Sequence, residues 1–244
     1  MQADGRGNLL ANCEEVLLAD FKRGAHLHPS EHVAPEDRLG WLALMQHHGT
    51  PTRLLDWTSS PYVALYFAVE ASQGHTACVW GVDLQMLEFG NGELWRKLED
   101  SGRMKTALDY LGTLREIETP QERARYFNAL ALDAVRTSMP GIVAVRPFRM
   151  HQRLTAQQGL FLVPLSSMKS FSDSLLEIVR VRVKGTGPLG QVIYRISLTG
   201  YSRCDLLQQL WDMNINRATL FPGLDGFAQS LATRLELEGT NHRL

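Results

Sequence analysis

Apolar positions recur along the chain at two spacings, and the changes between them mark the elements. Between Glu14 and Ala25, Leu17 and Phe21 stand four apart, and after Pro35 the residues Leu39, Leu42 and Met45 recur every third position. Both stretches predict helices with a single apolar stripe, the second beginning at Pro35, because proline is favoured in a first turn. Gly49-Thr50-Pro51 ends that helix, and Thr52 to Trp57 has the length and character of a short buried strand. Ser59-Ser60-Pro61 then combines a hydroxyl cap with a first-turn proline, and Tyr62 to Val69 is apolar on nearly every face. A central, buried helix is predicted there.

Further along, Thr76 to Asp83 reads as a strand. The charged stretch from Glu93 to Arg136, with Leu98, Leu108, Leu111, Leu114, Phe127 and Leu130, reads as two or three amphipathic helices. These form a helical insertion over about residues 93–138. Gly141 to Val145 and Gly159 to Val163 are short apolar strands, Ile178 to Val183 alternates apolar with Arg180 and Arg182, and Gln191 to Leu198 is β-rich. The alternation predicts a strand with the two arginines on a solvated face. Leu206, Leu207, Leu210 and Trp211 return to helical spacing, and the turn-rich run Leu220 to Gly226 leads into a closing helix to about Glu238. The order implies an α+β fold: a single domain over residues 1–244, with a mixed, mostly antiparallel sheet of five or more strands flanked by helices.

Composition narrows the partners. The 244 residues are 44% hydrophobic, enough for a packed core, and 25 Lys plus Arg against 26 Asp plus Glu give a net charge of −1. Such a balance provides no general attraction to nucleic acid or an anionic membrane, so any polyanion must be recognised locally. The first residues lack the apolar core of a signal peptide, and no run approaches the roughly 20 apolar residues of a membrane helix, so a cytoplasmic protein is expected. Cys13, Cys78 and Cys204 are too few and too scattered for a disulfide framework or a zinc knuckle. Cys78, inside Ala77-Cys78-Val79-Trp80, is expected to be a buried small hydrophobe.

The densest chemistry lies in Gln46-His47-His48-Gly49-Thr50-Pro51-Thr52-Arg53-Leu54-Leu55-Asp56-Trp57-Thr58. Desolvating so many polar groups beside apolar blocks costs energy unless each finds a partner, which marks a site. Each residue also has a plainer role. His47 and His48 would end a helix, where imidazolium suits the negative pole. Arg53 and Asp56 would brace the strand as an ion pair, although positions three apart in a regular strand face opposite ways. Trp57 would be core or a stacking wall, and Ser59 or Ser60 a cap. Arg153 and Gln157 stand four apart before an apolar strand, where Gly159 permits close backbone approach. No spaced set of His, Cys and carboxylates suggests a metal.

This long stretch, continued by Pro61 and Ala64-Leu65-Tyr66-Phe67-Ala68, resembles the signature of the FRG domain family. The likeness extends to Phe21-Lys22-Arg23, to Arg153 with Gln157-Gln158-Gly159-Leu160-Phe161, and to Leu220 through Gly226. The aromatic-Arg-Gly strand that names the family is not evident; either it is missing here or Arg6 stands in for it. The order of parts is similar to that of ADP-ribosyltransferases, with Thr58-Ser59-Ser60 before a buried helix and Gln157-Gln158 before a late strand. The resemblance implies NAD as substrate, an acceptor that is protein or nucleic acid, and a toxin or phage-defence setting with an antitoxin or other protein partner. In this reading Arg53, Trp57, Thr58, Ser59, Tyr66 and Arg153 bind NAD, while His48, Asp56, Gln157 and Gln158 serve the chemistry. A glutamine cannot act as general base, so His47, His48 or Asp56 would accept any proton. Two alternatives stay open: a catalytically silent module that binds a nucleotide, nucleic acid or protein, and a hydrolase or nuclease using His48 and Asp56.

Overall fold

The computed structural model describes residues 6–28, 33–72, 76–100, 140–147, 150–166, 169–184 and 191–241. In chain order the elements are α1 (Arg6–Ala25), α2 (Arg38–His47), β1 (Leu55–Thr58), α3 (Pro61–Glu70), β2 (Thr76–Val82), α4 (Leu84–Asp100), β3 (Ile142–Val145), α5 (Gln152–Ala156), β4 (Gly159–Pro164), α6 (Phe171–Lys184), β5 (Ile193–Thr199), α7 (Arg203–Asp212), α8 (Arg217–Leu220) and α9 (Leu224–Asn241). The architecture is mixed α and β with small sheets. Among the described residues no helix is long and apolar enough to cross a membrane. Most of the expected insertion, from residue 101 to 138, lies outside the described residues; its start belongs to α4.

The chain divides into two compact units, the first made of Met1–Leu55, Asp83–Arg149 and Phe161–Val192, the second of Asp56–Val82, Met150–Leu160 and Ile193–Leu244. In the first unit α2 starts at Arg38 rather than Pro35, because the Asp37 carboxylate accepts from the Gly40 amide at 2.9 Å and so caps the helix. His48 ends it as expected, with Gly49 at φ +81° carrying the chain away. The expected strand from Thr52 is shorter and later. The Thr52 hydroxyl donates to Gln46 Oε1 at 2.8 Å and accepts from the Leu54 amide, which binds residues 52–54 to the end of α2 and leaves Leu55–Thr58 as β1.

Strand β3 runs antiparallel to the Phe161–Pro164 part of β4; β4 is buried throughout, whereas in β3 Ile142 alone is fully buried and Ala144 is exposed. Asn91 of α4, itself buried, donates to the Ile142 carbonyl at 2.7 Å and accepts from the Ile142 amide, while Trp95 donates to the Pro140 carbonyl. These bonds satisfy backbone groups that burial would otherwise leave unpaired. The expected strand at residues 178–183 is instead the second half of helix α6. Ser170 caps the Asp173 amide, and Ser174, Leu175 and Ile178 are buried at helical spacing, so a 14-residue helix overrides a six-residue alternation. Arg180 and Arg182 therefore lie on a helix.

In the second unit β1 lies beside the start of β4, and β2 pairs with β5 antiparallel over seven residues, from Thr76↔Thr199 to Val82↔Ile193. Among the described residues the strands thus divide between two small sheets instead of forming one of five, with β2 and β5 paired to each other and β1, β4 and β3 in the other sheet. Tyr194 lies over Gly81, filling the place of the absent side chain. Cys78 is exposed, not buried, because the alternation of β2 turns Ala77 inward and Cys78 outward. Helix α3 buries Val63, Tyr66 and Val69 along one stripe while Tyr62 stays exposed, so it is one-sided and not enclosed as expected. That stripe packs with Leu207, Leu210, Leu220 and Leu237 into the core of the unit.

Candidate functional site

The second unit assembles a polar cluster from three segments far apart in sequence. It starts at the cap of α3, where the Ser60 hydroxyl accepts from the Val63 amide at 3.3 Å and Pro61 occupies the first turn. This fixes the preceding residues. The Thr58 hydroxyl donates to the Gln157 carbonyl at 2.7 Å and accepts from the Ser60 amide, while both the Ser59 amide and the Ser59 hydroxyl donate to the Gln158 carbonyl at 3.1 Å. Two carbonyls are thereby held across 99 residues of sequence. Gln158 has φ 48°, a left-handed conformation costing a non-glycine residue about 1–2 kcal/mol, and the three bonds from Thr58 and Ser59 offset that cost.

The Gln157 side chain reaches on to the third segment, donating to the Leu220 carbonyl at 3.0 Å. Beside it the guanidinium groups of Arg153 and Arg217 both stack on Phe221, each 4.6 Å from the ring centre. Arg217 is neutralised by Glu70 at 2.6 Å, and Glu70 also accepts from the Tyr66 hydroxyl at 2.7 Å. Burial and that hydrogen bond to the carboxylate raise the Tyr66 phenol well above its ordinary value, so it remains a donor. Arg153 has the aromatic ring but no ion pair among the described residues. Trp57 is half-buried, and its buried indole N–H meets no acceptor among the described residues.

The first unit holds a second, more deeply buried cluster. Glu14 of α1 accepts from Arg53 Nε at 2.8 and 3.0 Å and from Arg38 Nη2 at 2.8 Å, and the other side of Arg38 meets Glu15 at 2.7 Å. Burial works against ionising Glu14, yet the hydrogen bond and charge of Arg53, joined by the charge of Arg38, hold its carboxyl below the usual range. Lys22 beside this cluster has its ammonium destabilised by burial and by Arg38.

Of the residues singled out in the sequence, Thr58, Ser59, Gln157 and Gln158 come together, with Arg153 joined to them through Leu220-Phe221. Tyr66 enters through Glu70 and Arg217. Asp56 is exposed on β1. Arg53 pairs with Glu14 rather than Asp56, and it precedes the strand, so the strand-face argument does not apply to it. His48 is exposed at the end of α2 in the first unit, its ring 4.8 Å from that of His47. Sequence reasoning missed Glu14, Arg38, Glu70 and Arg217. A charged residue among apolar positions, as Glu70 follows Val69, was the available signal, but it does not name a partner.

The model of the FRG domain family matches residues 2–77. The chain carries an FRG domain. The match contains the Glu14 cluster, the Thr58-Ser59-Ser60 cap and the Tyr66–Glu70 pair, and it stops in β2, before Arg153, Gln157 and Gln158. Within the FRG match Arg6 opens α1, so it does not stand in for the strand that gives the family its name. No curated protein and no solved structure matches the chain.

Proposed function

We propose that the second unit of this FRG-domain protein binds NAD and catalyses an ADP-ribosyltransferase-like transfer. The observation that carries the proposal is the direct joining of Thr58-Ser59 to Gln157-Gln158, with the cation of Arg153 placed on Phe221 beside them and without an ion pair among the described residues. Cleavage of the nicotinamide bond needs positioning and charge stabilisation more than a strong base. In the proposed reaction the bond from the ribose C1′ to the nicotinamide nitrogen breaks, and an acceptor oxygen or nitrogen bonds to C1′. The acceptor's proton passes to Asp56, two residues before Thr58. Arg153 would take the diphosphate through its guanidinium N–H groups. Gln158 would hold a ribose hydroxyl, and the Trp57 indole N–H would find its acceptor on the ligand. A protein or nucleic-acid acceptor, and any role in bacterial or phage conflict with an antitoxin partner, rest on the family likeness alone.

One observation favours a second reading, a silent nucleotide-binding module. The Thr58 and Ser59 hydroxyls already donate to backbone carbonyls, and the Gln157 amide donates to Leu220. The deciding experiment measures nicotinamide release and saturable NAD binding by the purified chain, beside Arg153→Met and Gln158→Ala at matched thermal stability. Turnover that both variants lose supports the transferase. Binding without turnover supports the silent module, and no binding sinks both.

A further inference from the structure

The closing helix α9 carries an apolar face that the unit does not use. Gly226, Ser230 and Leu237 turn inward, and α9 packs on α7 and α8 through that side. On the opposite side Leu224 and Leu235 are 79% and 71% exposed, and Ala228 and Leu231 are exposed between them. Their spacing of four, three and four is the repeat of a coiled-coil seam. Phe227 and Arg234, also exposed, stand seven apart along one flank of it.

We propose that this face pairs α9 with α9 of a second copy of the chain, antiparallel about a two-fold axis. The argument is self-complementarity. When the seams run antiparallel with Leu224 opposite Leu235, Ala228 falls opposite Leu231, so a large residue meets a small one in both central layers. A parallel pairing would set Ala228 against Ala228 and leave a void there. In the antiparallel pair the flank position of one helix faces the same flank of the other, which brings Phe227 against Arg234 twice, a cation on an aromatic ring. Asp225 falls on the other flank, opposite Ala232, so no like charges oppose. An isologous contact of this kind closes at two copies. The seam from Leu224 to Leu235 is only about 16 Å long at 1.5 Å per residue, so the contact lies at the small end of specific interfaces and the dimer is concentration-dependent.

Sedimentation velocity of the whole chain from about 2 to 200 µM, a range that brackets micromolar affinity, tests the proposal. The expected result is a monomer–dimer equilibrium that Leu231→Glu abolishes and Arg234→Glu weakens about tenfold, with thermal unfolding nearly unchanged, because both residues are exposed and Arg234 loses only its exposed ion pair with Glu238 on the same helix. In a background with Cys13, Cys78 and Cys204 replaced by serine, since the first two are exposed thiols, mixing chains carrying Leu224→Cys with chains carrying Leu235→Cys should give a cross-linked dimer between the two variants and none within either alone. A monomer at every concentration, a dimer indifferent to Leu231→Glu, or cross-linking of Leu224→Cys to itself would each overturn it.

Discussion

Replacing Glu14 by glutamine keeps the shape of the α1–α2 contact while removing the one negative charge that two arginines share. The side chains of Glu14, Arg38 and Arg53 are 8%, 8% and 11% exposed, so water cannot substitute for the lost carboxylate. Breaking a buried ion pair by removing one partner costs about 3–5 kcal/mol, chiefly for the charge left behind. Arg53 bears most of that here, because Arg38 keeps Glu15 at 2.7 Å. For a chain of this size about 2–4 °C of midpoint accompanies each kcal/mol, so Glu14→Gln should lower the midpoint of the first unit by about 6–20 °C. Circular dichroism melts and urea titrations read the effect, and if the two units unfold separately only one transition moves. Glu15→Gln is the control: Glu15 is half exposed, and its loss should cost below about 1 kcal/mol. Replacing Glu14, Arg38 and Arg53 together by methionine should recover most of the loss, since no buried charge remains. A cost for Glu14→Gln below about 1 kcal/mol, or equal to that of Glu15→Gln, would refute the argument.

The same carboxylate sets an acid limit. Because folding depresses the Glu14 value below its ordinary 4.5, the unfolded chain binds more protons, and stability rises with pH between the two values. The contribution is full above the unfolded value and is lost as pH falls through the depressed one; denaturant titrations from neutral pH downward should show this in the wild type and not in Glu14→Gln. Gln158→Gly should hold or raise stability by up to about 1 kcal/mol, as glycine accepts φ 48° without strain, while losing NAD binding if the Gln158 side chain is a ligand; a large destabilisation would show that the side chain is structural. Gly226→Ala would place a methyl 1.8 Å from the Phe221 carbonyl oxygen, and the shift of Phe221 should cost about 1–3 kcal/mol, read by thermal melts, and weaken any ligand bound at Arg153.

What the sequence determined by itself were the features set within a few residues. The cap and proline of α3, the end of α2 at His47-His48, the β2, β3, β4 and β5 runs and the closing helix all follow from neighbouring residues and local periodicity. Thr58-Ser59 and Gln157-Gln158 were also singled out by the sequence, through their placement before a helix and a strand and through the FRG likeness, and hydrogen bonds join the two segments. Tertiary structure decided the partners. Glu14 lies 39 residues from Arg53, and Arg217 lies 147 from Glu70, so no spacing rule links them; only packing of α1 on α2 and of α8 near α3 brings the charges together. It also overrode local signals, making a helix of the alternating run at Ile178 because burial of Ser174, Leu175 and Ile178 needs a 3.6-residue period, and turning Cys78 outward because its strand is covered on one row alone. Short-range chemistry fixes where the chain turns and caps, whereas burial, which sums over distant residues, selects which charges are neutralised and which sheets form.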